Sequence, residues 1–131
     1  MIVVDTSVWV DALRHGDGPV AAALGRLLDA DEVALAVPVR MELLAGVARK
    51  DRPALLRGLS ALPVLAPTDD TWSTAQGWIA PAADQGQRFA LADLLIAALA
   101  DEIQALVWSL DSDFARLETL GYARLYASSA R

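Results

Sequence analysis

The chain has 131 residues, 55% of them hydrophobic, with no cysteine and a net charge of −6 from 17 acidic against 11 basic side chains. That length fits one domain over residues 1–131 that can bury a core without staples, and the composition excludes disulfides and thiolate chemistry. The acidic balance argues against wrapping nucleic acid by bulk electrostatics, and the longest apolar runs fall well short of a membrane span. The opening MIVVDTSVW carries neither a basic n-region nor an A-x-A site, so no secretory signal is expected and a cytoplasmic location is the default.

In chain order, Ile2–Asp5 reads as a short buried strand of β-branched residues. A helix follows, with Val8, Trp9, Ala12 and Leu13 at helical spacing and Gly16-Asp17-Gly18 ending it. Pro19 opens a second helix with Leu24, Leu27 and Leu28 on one face. Glu32–Val37 is a second strand. Pro38 then starts a helix running to Lys50, with Met41, Leu44, Ala45 and Ala48 as its expected core stripe. Asp51 is the expected cap of the next helix, which has Pro53 in its first turn. Val64–Pro67 reads as a short edge strand or connector. A helix from about Asp69 is weakened by Gly77 and expected to break at Pro81. The Ala- and Leu-rich stretch Arg88–Glu102 is helical, Ala105–Ser109 is a strand, Ser112–Gly121 holds a short helix, and Ala123–Tyr126 is a last strand. Short apolar strands alternating with amphipathic helices indicate an α/β fold with a mostly parallel central sheet flanked by helices.

Ligands of open parallel sheets gather beyond the carboxyl ends of the strands. Asp5 ends the first strand, Glu42 lies in the first turns after the second, and Asp111 follows Ser109 by two residues. Asp93 sits near the start of a helix otherwise made of Ala, Leu and Ile, where an unpaired carboxylate needs compensation. Each acid also has an ordinary structural explanation. Asp5 before Thr6-Ser7 suits a helix N-cap, and Glu42 is spaced to pair with Arg49. Asp93 suits the positive end of a helix dipole, and Asp111 and Asp113 suit a turn and a cap.

Taken together, convergent carboxylates repel one another and call for cations between them. An all-oxygen set suits Mg²⁺ or Mn²⁺ rather than Zn²⁺. Two such ions roughly 4 Å apart can clamp a phosphodiester and activate water against it. The single histidine, His15, lies beside a glycine turn, which makes histidine-based catalysis improbable, and no phosphate-cradling glycine loop or nucleophile elbow is present. Arg40 and Arg88 lie near the acids in sequence and are weaker candidates for contacting a phosphodiester backbone.

MIVVDTSVWVDALR, VRMELLAG, ALADLLIAALA and VWSLDSDFARL, in this order, resemble the PIN-domain ribonucleases, and more narrowly the VapC toxins of bacterial VapBC toxin–antitoxin pairs. The resemblance implies a PIN-like three-layer sandwich, endonucleolytic cleavage of RNA dependent on Mg²⁺ or Mn²⁺, a homodimer, and inhibition by a cognate VapB-type antitoxin. It assigns Asp5, Glu42, Asp93 and Asp111 as the metal-holding acids and Asp113 as an accessory one. Ser7 and Ser109 fall where the family places small polar residues that orient the acids. Leu110 and Ser112 stand where relatives often carry basic residues, and Ala90 replaces a frequent Ser or Pro, so the helix bearing Asp93 lacks a capping box. The rival expectation is a catalytically silent PIN domain that only binds protein or RNA. A phosphoacceptor receiver domain needs a lysine after the last core strand, but the single lysine is Lys50. A haloacid-dehalogenase-type phosphatase needs an acid where Ser7 stands.

Overall fold

A computed structural model describes residues 1–127 of the chain, so residues 128–131 of the expected domain lie outside the description. β1 (Ile2–Val4) leads into α1 (Thr6–Arg14) and α2 (Pro19–Asp29), and β2 (Val33–Ala36) into α3 (Val37–Gly46). A 3-10 turn at Arg49–Asp51 precedes α4 (Arg52–Leu59) and β3 (Val64–Leu65). α5 (Asp69–Asp84), α6 (Leu91–Glu102), β4 (Leu106–Trp108) and α7 (Ser112–Thr119) complete the order.

The four strands form one parallel sheet in the order β3-β2-β1-β4. Every residue of β1 and β2 is buried, as strands covered on both faces require. Ile2 pairs with Val33 on one side and Leu106 on the other, so β1 is the strand at which the chain order reverses. Such a switch point opens a crevice at the carboxyl edge, here just beyond Val4 and Trp108. α6 packs against both β1 and β4, and seven consecutive residues, Leu94 to Ala100, are buried along it. Its alanines let the helix approach the sheet closely. Phe114, fully buried, seats α7 on the same core.

Several sequence expectations change. The core stripe of α3 is rotated: Pro38, Val39 and Leu43 are buried, whereas Met41 is 64% exposed and Ala45 and Ala48 face solvent. Val39 and Leu43, four residues apart, define the buried face, and Met41 falls midway between them on the opposite side. α3 also ends at Gly46 instead of reaching Lys50. Asp51 stands at the N-cap of α4 without a side-chain cap, because its backbone is already helical (φ −92°, ψ −10°) where the 3-10 turn runs into the helix. Pro81 does not break α5, which continues to Asp84. The carbonyl that Pro81 cannot bond belongs to Gly77, which is exposed and so accessible to water. The expected last strand reduces to one parallel bridge, Val107 to Leu125, with Val107 N–H donating to the Arg124 carbonyl at 2.8 Å.

Truncating Phe114 to Ala removes the buried ring that anchors α7 and leaves a cavity under it. Urea denaturation is expected to show a loss of about 3–5 kcal/mol.

Candidate active site

Asp5 is the most buried acid of the rim, 5% exposed, at the point where β1 turns into α1. Its backbone N–H donates to the Trp108 carbonyl at 2.8 Å, continuing the β1–β4 ladder and locking the residue to the end of both strands. It occupies the N-cap position of α1 but its side chain makes no cap hydrogen bond. Instead the Ser7 and Ser109 hydroxyls both donate to Asp5 Oδ2, at 2.8 and 2.7 Å. The pair of hydroxyls is itself held in place. Leu110 N–H donates to Ser7 Oγ at 3.0 Å, and Asp111 N–H donates to Ser109 Oγ at 2.9 Å. Two serines 102 residues apart thus orient one carboxyl group and connect the ends of β1 and β4. Both serines expected beside the acids thus hydrogen-bond to the same carboxyl oxygen.

Glu42 is exposed on α3 and does not pair with Arg49; its Oε1 accepts from the Thr6 hydroxyl at 2.8 Å. Asp111 does act as a cap, Oδ1 accepting from Asp113 N–H at 2.9 Å at the start of α7. Asp113 forms an ion pair with Arg116 at 2.7 Å, the one ion pair among the described residues. Arg40 is half-buried on α3 and Arg88 exposed ahead of α6. Among the described residues neither forms an ion pair with an acid.

Asp93 lies in the first turn of α6, whose N-cap is Ala90 with no side-chain cap, as the sequence leads one to expect. Burial first, then the charges of Asp5, Asp111, Asp113 and Glu42, push its carboxyl up from 3.8 to about 7. The positive end of the helix dipole does not offset this. Each of the other four acids singled out in the sequence acts electrostatically on Asp93, so all five lie near one another. Among the described residues no three Asp, Glu, His or Cys side chains close into a cage for an ion. The rim is an open acidic crevice, and an open set of one or two carboxylates completed by water is the usual environment of Mg²⁺. Oxygen donors only, mutual repulsion and, among the described residues, no cationic side chain on Asp5, Glu42, Asp93 or Asp111 make the donor set fit a hard divalent cation.

Beside Glu42 an open apolar groove of about 530 Å³ runs between α3, α5 and α6, lined in part by Met41, Pro67 and Trp72. Of the four tryptophans, Trp9 and Trp108 are core residues and Trp78 stacks on Tyr122 at 4.5 Å, while Trp72 is 54% exposed. Two polar residues at the site escaped the sequence analysis. Thr6 adjoins Asp5, and its position was the available signal. Arg116 follows Asp113 by three residues, the spacing of a helical ion pair.

A parallel α/β sheet with carboxylates at its switch point is a layout that metal-dependent hydrolases of phosphate esters use. The PIN domain family matches residues 2–120. Ribonuclease VapC11 of Mycobacterium tuberculosis is 34% identical over 119 residues, covering 87% of this chain and 89% of that protein. Among solved structures, the VapBC2 complex of Rickettsia felis bound to a promoter DNA fragment contains a chain that superposes with a TM-score of 0.78 at 20% identity, over 96% of this chain and 98% of that one. VapBC-5 of M. tuberculosis, described as a member of the VapBC family of toxin–antitoxin systems, gives 0.70 at 26% identity, over 96% and 97%. The chain belongs to the PIN-domain family, on its VapC ribonuclease branch.

The raised Asp93 value has a definite sign for stability. A carboxyl that holds its proton more tightly in the folded state stabilises the fold below about pH 4 and loses that contribution as pH rises through about 7. In EDTA the wild-type protein should therefore melt at lower temperature at pH 8 than at pH 5. Asp93→Asn should flatten that slope and melt higher than wild type at pH 8. A slope unchanged in the variant would place the titrating group elsewhere.

Proposed function

We propose that this chain is a Mg²⁺- or Mn²⁺-dependent endoribonuclease, the toxin of a type II toxin–antitoxin pair, which acts as a homodimer in the cytoplasm and is restrained by a VapB-type antitoxin. The observation that carries the catalytic part is the convergence of Asp5, Glu42, Asp111 and Asp113 on Asp93, of which only Asp113 has a cationic partner among the described residues. The relationship to VapC11 supports RNA as the substrate, and the VapBC-5 complex supports an antitoxin as the partner.

Asp5, Glu42, Asp93 and Asp111 would hold the metal. When bound, the cation supplies Lewis-acid activation of water and charge neutralisation for the scissile phosphate. The protein's part is positioning. Ser7 and Ser109 direct Asp5 with two donated hydrogen bonds, Thr6 steers Glu42, and the α7 cap fixes Asp111. Asp93 comes from the first turn of α6, so the set of four is incomplete without that helix. Arg40 and Arg88 flank the acids on α3 and before α6, free of acidic partners, where a polyanion's backbone can reach them. A net charge of −6 keeps RNA from binding indiscriminately, so binding depends on the cation at the rim.

Purified, antitoxin-free protein should cut cellular RNA in Mg²⁺ or Mn²⁺ and stop when EDTA is added. Asp5→Asn and Asp93→Asn should remove cleavage altogether while keeping the circular dichroism of the wild type. Ser109→Ala should lower the rate by about 10- to 100-fold, as loss of a ligand-orienting hydrogen bond does. RNA binding without cleavage by the wild type under both metals would support the silent binding module instead.

A further inference from the structure

The Arg116 side chain projects from α7 across the chain that leads into α6, making three contacts there and a fourth to Asp113 on α7 itself. Nη2 pairs with Asp113 Oδ1 at 2.7 Å and lies 3.5 Å from the Arg88 carbonyl. Nη1 donates to Gln87 Oε1, and the guanidinium carbon stands 4.5 Å over the centre of the Phe89 ring. Gly86, at φ +74°, closes α5 in the left-handed conformation and turns Gln87 toward this contact. From Phe89 it is four residues to Asp93. The first turn of α6 has no side-chain cap of its own, so little else within that turn fixes where Asp93 begins its approach to the rim.

We infer that Arg116 is a positioning residue that pins the Gln87–Phe89 segment to α7 and so sets the distance between Asp93 and Asp111, and that Asp113 is the anchor of this clamp and not a metal-holding acid. A planar guanidinium suits the task, because its fork serves a carboxylate, an amide oxygen and a carbonyl while its face covers an aromatic ring. Lysine carries the charge but cannot make these contacts together. The Arg116–Asp113 pair is about a third exposed on each side, so its Coulombic strength is modest and its value lies in geometry. Asp113 thereby leaves the set of acids available to a cation, and the rim keeps Asp5, Glu42, Asp93 and Asp111.

The inference rests on the rim being a metal site, and the test separates the two claims. Full-length wild type, Arg116→Gln, Arg116→Lys, Gln87→Ala and Asp113→Asn would be compared by amide hydrogen exchange in EDTA and by Mn²⁺ titration without RNA. In Arg116→Gln, exchange should speed up over residues 89–95, including the Leu94 amide that closes the first turn onto Ala90. Mn²⁺ affinity should fall about tenfold. Gln87→Ala, which leaves α7 untouched, should give the same changes in smaller degree, so the clamp remains testable if Arg116→Gln unfolds. Arg116→Lys should fail to restore slow exchange. Asp113→Asn should weaken Mn²⁺ less than Asp111→Asn does. Unchanged exchange in both Arg116→Gln and Gln87→Ala, full rescue by lysine, or loss of Mn²⁺ in Asp113→Asn equal to that in Asp111→Asn would overturn the inference. If wild type binds no Mn²⁺, the metal site falls and the exchange comparison alone decides the clamp.

Discussion

Asp5 leaves water where β1 gives way to α1, and among the described residues it is met there by two hydroxyl groups and no cation. Burying such a group costs several kcal/mol unless hydrogen bonds and an opposite charge compensate it. The hydrogen bonds come from Ser7 and Ser109, and the second of these can reach only because β1 and β4 are parallel neighbours in register, Val4 beside Trp108. The sheet order, the serine pair and the carboxyl group are therefore one constraint. Exchange β1 with another position in the sheet and Asp5 loses a donor. Move the register by one residue and Ser109 turns to the other face.

Among the described residues no opposite charge completes the compensation, and the rest of the rim adds further carboxylates around Asp5. α6 brings a fourth wall with Asp93, whose proton is held to about neutral pH by burial and by its acidic neighbours. α3 brings Glu42 from the strand beyond, tied to α1 through Thr6. α7 brings Asp111 as a helix cap, so an ordinary structural role and a place at the rim coincide in one side chain. Self-repulsion of this kind destabilises the fold and would be relieved by a bound divalent cation, so that metal binding would couple to stability as well as to chemistry.

Much of this was legible because the signals are local. β1 is a short β-branched run ended by Asp5 and β4 a short apolar run ended by Ser109, and the α/β alternation fixes which ends face the crevice. The four blocks of family resemblance contain every acid of the rim. What escaped depends on tertiary contacts. The buried face of α3 is chosen by how it leaves β2, and Met41, apolar in a helical stripe, ends up in solvent. Pro81 is tolerated because the carbonyl it strands is exposed, which a breaker rule cannot know. Asp5 looked like a cap, but its hydrogen bonds come partly from a residue 104 positions away. The Arg116 contacts span 28 and 29 residues to Arg88 and Gln87, beyond any periodicity argument.

The central claim is that the acids of residues 5, 42, 93 and 111 meet at one edge in order to share a divalent cation. Anomalous diffraction from crystals grown with Mn²⁺ tests it most directly. The account predicts a strong peak in the crevice, in contact with carboxyl oxygens of Asp5, Asp93 and Asp111. Saturating Mn²⁺ with no peak at the rim, or a peak held by unrelated surface acids while these carboxyl groups point apart, would contradict it.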